Sequence, residues 1–405
     1  MSRHVAHTPL PNTKYLVLWA LCISHLLNDM FQSIIPAALP LLQRDLFLTF
    51  TQIGLIGAVF QLSSSVCQPV VGWFTDKYPQ PYSLPAGMTS TLLGVLLLSC
   101  AWSFSIVLVS VALIGFGSAI FHPESSRLVY MASGGRLGFA QSFFQTGGNF
   151  GASLGPLLAA IIITPYGQNN IAWFAILAFC AVLWMIPLSQ WYRRRLKEWK
   201  LPQQTAQKGY SPPTAPILPK HRIYAAVFIL LTLVFSKTLY TICLSNYFTF
   251  YLIEKYQVTV QQSQLFLFAF LFAVAAGTML GGSLGDKIGR KRVIWSSILG
   301  AAPFALWLPY ADSLWGVCLL SMLVGAIMAS SFPTILIFAQ ELMPGKVGLV
   351  GGLFFGFSFG SGAIAAALLG GLADQMGIEM VFLLCAYMPL LGLITWFLPN
   401  IPAAP

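Results

Sequence analysis

Charge is scarce in this sequence. Asp, Glu, Lys and Arg together make up 8% of its 405 residues, where a soluble globular chain carries about 25%. That is too little to solvate the surface of two or three soluble domains. Acidic groups are rarest, 11 against 21 Lys and Arg, which leaves a net charge of +10. The metal signatures of a membrane-embedded enzyme are missing too: there is no H-E-x-x-H and no dense run of Asp and His. The seven cysteines lie in apolar segments without C-x-x-C spacing, so they read as buried thiols, not as disulfides or metal ligands. No cofactor and no metal are implied.

What is abundant is apolar. Hydrophobic residues reach 57%, and 31 Phe, 35 Gly and 25 Pro suit helices that pack closely and bend inside lipid. A bilayer core of about 30 Å takes roughly 20 apolar residues per helix. Such runs fall near 15–42, 51–75, 82–102, 104–130, 137–164, 170–190, 223–252, 261–285, 292–310, 314–340, 346–373 and 378–399, which makes twelve expected spans. The polar start leads into the first run without a cleavage site, so a retained first span is expected. Residues 191–222 hold eight Lys/Arg, one Glu and five Pro, the composition of a linker between two six-helix halves, 1–190 and 223–405. With the N-terminus inside, 18 of the 21 basic residues face the cytoplasm and only Arg44 and Lys255 lie outside. Both termini are therefore expected in the cytoplasm, with the basic residues acting as topology signals and not as a nucleic-acid surface.

Two internal repeats support the halves. Gly72-Trp-Phe-Thr-Asp76-Lys77 recurs as Gly282-Ser-Leu-Gly-Asp286-Lys287, 210 positions later. Gly147, Gly151 and Gly155 recur at Gly352, Gly356 and Gly360, an offset of 205. Repeats at matching positions of two six-span halves mark a secondary transporter with a central site. The stripe of small residues allows close backbone approach, and Pro156 permits a bend.

The segment GGSLGDKIGRKRVI, Gly281 to Ile294, resembles the loop signature of the major facilitator superfamily. Its first copy keeps Asp76 and Lys77 but has Tyr78-Pro79-Gln80-Pro81 in place of the Gly-Arg-Lys end. The resemblance implies an all-α membrane protein of twelve helices in two pseudo-symmetric halves. It also implies a cytoplasmic gate in which Asp76 and Asp286, with Lys77, Arg290 and Lys291, hold helix ends together. Further stretches, SHLLNDM from Ser24, FHPESSR from Phe121, MASGGR from Met131, FQTGGNFGASLGPLLAA from Phe144 and FAFLFAVAAGT from Phe268, are similar to the branch of that superfamily that confers resistance to a phosphonate antibiotic. This likeness implies a bacterial inner-membrane exporter, working as a functional monomer and coupled to protons. The arginine that many antiporters of the superfamily carry in the fourth helix is absent, and Val111 stands there.

An ionisable group inside a span is costly and by default functional. His25, Asn28, Asp29 and Gln32 share one face of the first helix. Asp29 lies 14 residues past Tyr15 and Lys237 lies 14 past Ile223, each about 21 Å into its helix. Opposite charges are therefore expected at similar depth, as an ion pair or as a working pair. In the working pair Lys237, with Tyr240 nearby, takes the phosphonate and Asp29 takes the proton. The fourth span adds His122, Glu124 and Arg127, and the fifth, expected opposite, adds Gln141, Gln145 and Asn149. Within this cluster Arg127 is suited to grip a tetrahedral oxyanion or to pair with Glu124 at i, i+3. Expected substrate-binding residues are thus His25, Asn28, His122, Arg127, Gln145, Asn149, Lys237 and Tyr240, and proton-coupling residues Asp29, His25 and Glu124. Glu341 reads as a loop residue beside Pro344. The alternative of the same fold is an importer or uniporter of a small phosphorylated or carboxylated metabolite.

Overall fold

The computed structural model describes residues 13–48, 50–158, 162–163, 166–205 and 218–400; the expected linker is thus described only at its ends. Nearly all of these residues are helical, with no strand among them. Helix α1 runs Tyr15–Leu46, α2 Phe50–Ser65, α3 Cys67–Lys77, α4 Ser83–Ser99, α5 Phe104–Ala132 and α6 Leu137–Leu158. After a 3-10 turn at Gln168–Ile171 come α7, Ala172–Thr205, α8, Lys220–Tyr256, α9, Val260–Ile288, α10, Arg290–Leu299, and α11, Ala302–Trp307. The chain ends with α12, Leu314–Ala329, α13, Ser331–Leu342, α14, Val347–Met376, α15, Ile378–Ala386, and a 3-10 stretch, Met388–Phe397.

All twelve expected spans are helical where they are described. Several consist of two pieces, and prolines explain three of the breaks. Pro69, Pro303 and Pro333 each sit in the first turn of the second piece, and each lacks the N–H that would bond the residue four back, Ser65, Leu299 or Ala329, with which the first piece ends. Among the described residues nine stretches are long and apolar enough to cross a bilayer, and Ser83–Ser99 is a shorter apolar helix. Helices α1 and α6 carry the polar stripes. The side chains of Gly155 and Pro156 lie outside the described set.

The distribution of residues is that of a protein dissolved in lipid. Trp19, Trp173, Phe228, Leu265, Trp315 and Trp396 are exposed, while Ser24, His25, Asn28, Gln68, His122, Glu124 and Gln141 are buried. Large exposed apolar surface around a polar interior is the arrangement a bilayer stabilises. This is a multi-pass membrane protein.

Packing corrects one expectation. Helix α6 lies chiefly along α1 and α9, and only slightly along α5. Its glycines explain why, since a Cβ at Gly147 would strike the Cys22 carbonyl and one at Gly151 that of Leu26. Gln141, Gln145 and Asn149 therefore do not form a stripe facing the fourth span. On the other side α14 lies along α3 and α8, so the first six spans meet the last six along two seams, α3 with α14 and α6 with α9.

Candidate functional site

The polar stripe of α1 meets α5 in the interior. Asp29 Oδ1 accepts from Asn28 Nδ2 and Gln32 Nε2, both at 2.9 Å. Its carboxylate also faces two imidazoles, with His25 Nε2 3.2 Å from Oδ2 and His122 Nε2 3.5 Å from Oδ1. Both rings are fully buried, whereas the Asp29 side chain keeps 13% of its surface exposed. Aromatic rings enclose the imidazoles. His25 stacks on Phe144 at 4.1 Å, and His122 packs against Phe355 and Phe359 of α14 at 4.8 and 5.2 Å.

Lys237 does not join this centre. Among the described residues no carboxylate pairs with it, and its Nζ lies 4.8 Å over the ring of Phe332. Phe332 in turn meets Phe355 edge-on at 5.3 Å, and Phe355 meets His122. Of the two alternatives for Asp29 and Lys237, the ion pair is absent among the described residues; the rings of Phe332 and Phe355 lead from the lysine to His122. Tyr240 is a second correction. It is buried in the apolar core formed with Cys243 and Cys385, although three residues along a helix set it only about 60° round from the lysine. Asn149 donates to Thr278 Oγ1 of α9 at 2.9 Å, so it ties one seam. Gln145 Oε1 and Gln141 Nε2 are buried without hydrogen-bond partners.

At the face expected to be cytoplasmic, each repeated aspartate caps a helix on the far side of a seam. Asp76 accepts from the backbone N–H groups of Gly348 at 2.9 Å and Leu349 at 2.7 Å, the first turn of α14. Asp286 accepts from Gly138 at 3.0 Å and Phe139 at 2.9 Å, the first turn of α6. Both exploit the free N–H groups and positive end of a helix. Arg127 belongs to this latch in the present state. Its guanidinium donates to Asp76 and Glu124, both at 2.6 Å, to Thr75 at 3.0 Å and to Tyr192 at 3.1 Å. Four protein acceptors leave it little capacity for an oxyanion. Glu124 also accepts from Ser83 at 2.9 Å, so it too is engaged.

The second latch has Arg290 on Asp286 at 2.5 Å and on Glu341 at 3.3 Å. Glu341 is therefore a helical residue with a structural partner and not a loop residue. Lys291 donates to the carbonyls of Trp396 and Leu398, anchoring the last span instead of crossing a seam. Lys77 lies beside the rings of Trp73 and Tyr78 on its own segment. The sequence reading missed Gln340, which donates to Ser126 across the interior at 3.0 Å, although a polar residue inside a span was the signal to follow. It also missed Phe332 and Phe355, which nothing distinguishes from the other phenylalanines until the helices are packed.

Known proteins resemble this chain in sequence and in fold. The family model described as Major Facilitator Superfamily matches residues 21–256 and 233–405. The fosmidomycin resistance protein of Escherichia coli is 55% identical over 399 residues, covering 98% of this chain and 95% of that one. An uncharacterized MFS-type transporter of Bacillus subtilis, YfnC, is 42% identical over 388 residues, 96% of this chain and 94% of its own. Among solved structures, the human organic anion transporter TETRAN superposes with a TM-score of 0.75 at 16% identity, over 96% of this chain and 100% of that chain. The transporter FucP in its outward conformation gives 0.73 at 17% identity, over 95% and 99%. At those identities the structures show the fold alone.

Proposed function

The chain belongs to the major facilitator superfamily, and from that premise we propose that it exports fosmidomycin and similar small anionic phosphonates across the bacterial inner membrane in exchange for protons. The two halves, 1–190 and 223–405, rock about the linker 191–222 in a monomer whose termini both face the cytoplasm. The observation that carries this reading is Lys237. A lysine inside a membrane-spanning helix, lying over an aromatic ring with no carboxylate beside it among the described residues, is a charge that an anionic ligand would neutralise. Loosening of the Asp76 latch releases Arg127, whose forked guanidinium then supplies paired donors to phosphonate oxygens. Asp29 takes the proton, with His25 and Glu124 as relay.

Proton and substrate act through the ring pair in this scheme. Protonating Asp29 alters its hold on His122, and a chain of ring contacts through Phe355 and Phe332 links His122 to the lysine. The same separation favours the second reading, a uniporter. An anion leaving a cell that is negative inside gains about 2.3 kcal/mol per charge per 100 mV, which needs no proton.

The test is fosmidomycin efflux from proteoliposomes with the pH gradient and the potential imposed separately. Lys237→Ala should abolish flux under both drives, and Asp29→Asn should abolish only the flux driven by the pH gradient. Unchanged flux in Lys237→Ala overturns the anion site; an Asp29→Asn protein that still follows the pH gradient overturns proton exchange and leaves the uniporter.

A further inference from the structure

His25 Nδ1 lies 2.9 Å from the carbonyl oxygen of Phe144, and His122 Nδ1 lies 3.0 Å from that of Ser118. A carbonyl only accepts, so each Nδ1 carries a ring proton, and in the neutral form of each ring Nε2 presents a lone pair. Both Nε2 atoms are buried with no hydrogen-bond partner, and both face the Asp29 carboxylate. With both rings in that form three acceptors converge with no donor among them, an arrangement that burial penalises unless a cation, a proton or a metal ion, lies between.

We propose that His25, Asp29 and His122 form a binding site for one divalent transition-metal ion that prefers nitrogen and oxygen ligands. Metal–ligand bonds of about 2.0–2.1 Å at tetrahedral angles place ligand atoms about 3.3–3.4 Å apart, and the two Nε2-to-carboxylate distances are 3.2 and 3.5 Å. No two of the three ligand atoms are more than 4.8 Å apart, so a closure of about 1.4 Å at most completes the set. An imidazole whose other N–H is tied to a backbone carbonyl is the usual support of a metal-bound histidine, and a ligating carboxylate is likewise held by donors; Asn28 and Gln32 supply these to Asp29.

Room for an ion is kept by a glycine. A Cβ on Gly148 would come within 2.5 Å of His25 Cε1 and 2.7 Å of Asp29 Oδ2. The exposed side of Asp29 leaves a fourth position for water, as in zinc sites with three protein ligands. This inference does not depend on the export reading. The sequence suggested no metal because the third ligand stands 93 positions after Asp29, far from any metal-ligand spacing.

The test uses the full chain in nanodiscs without phosphonate, titrated with Zn2+ by calorimetry and with Co2+ by absorption. The expected result is one tight Zn2+ per chain, weakened at least about tenfold in His122→Gln and in Gly148→Ala, which keeps every ligand. The wild-type Co2+ spectrum should show tetrahedral nitrogen and oxygen coordination, with no thiolate charge-transfer band and no change after the cysteines are alkylated. That spectrum needs no variant to fold. Absence of tight binding, affinity unchanged in both variants, or a thiolate band would overturn the proposal and place any bound ion on the cysteines or on His4, His7 and His221.

Discussion

Along the seam of α3 with α14 backbones touch. A Cβ on Gly72 would strike the Gly348 carbonyl, one on Gly352 that of Gln68, and one on Gly356 would lie 2.5 Å from that of Ser65. Along the seam of α6 with α9 side chains reach across instead, Asn149 to Thr278 and Asp286 to the first turn of α6. The glycines of these helices are used elsewhere. Gly147 and Gly151 admit α1, while Gly277 and Gly281 admit the carbonyls of Ala326 and Ser330. The latches differ likewise, since Asp76 leans on an arginine bound by four acceptors, and Asp286 on one held by two carboxylates. Internal repetition thus preserves the electrostatic device, a carboxylate capping a helix across a seam, without preserving the packing around it. The physical reason is that a cap needs only two N–H groups in place, whereas backbone contact needs every residue along the seam to be small.

The sharpest test of that difference is Asp76→Asn against Asp286→Asn. Removing the first carboxylate leaves Arg127 short of an anionic partner in a buried network, at a cost of about 3 kcal/mol, so amide exchange at Gly348 and Leu349 should rise by about a hundredfold. Asp286 is more exposed, 21% against 12% for Asp76, and Asp286→Asn should raise exchange at Gly138 and Phe139 by only about fivefold, near 1 kcal/mol. Equal effects would make the two latches equivalent. Gly72→Ala comes next, overpacking against backbone that cannot rotate away, at about 1–3 kcal/mol. Gly285→Ala meets side-chain ends and not backbone, Thr334 at 3.3 Å and Arg290 Nη1 at 3.4 Å, and should leave the melting temperature in nanodiscs nearly unchanged. If both alanines are tolerated alike, the close-packed description of the first seam fails. Smallest is Asn149→Ala, which removes one neutral hydrogen bond worth about 0.5–1.5 kcal/mol; a loss of fosmidomycin efflux beyond about tenfold would mean that Asn149 touches the substrate and does more than tie the seam.

Much of the candidate site could be named from the sequence, but not its partners. Asp29, His25, His122 and Lys237 stand out because each breaks an apolar run, and that signal belongs to one residue and its neighbours on a helix. Whom each residue meets is another matter. Lys237 was matched to Asp29 by depth along two helices, yet depth fixes one coordinate only, and rotation of α8 and the intervening rings of Phe332 and Phe355 keep the charges apart. Arg127 was placed by its guanidinium chemistry among ligand-binding groups, and Asp76, Thr75 and Tyr192, 51 to 65 positions away, occupy it in the latch.

What the sequence determined by itself is the number of spans, their polar stripes, the repeat and the two capping aspartates. Lipid imposes a length and an apolar composition on every helix separately, and both can be read along the chain. Tertiary structure alone decided that Asp29 sits between two imidazoles, that Lys237 lies over a ring, that Tyr240 turns into a core, and that one seam is glycine-lined while its counterpart is not. Those outcomes depend on how closely and at what rotation two helices meet. The small residues that set this act through neighbours far away in sequence, so the same glycine spacing serves contact within a half in one repeat and contact across a seam in the other.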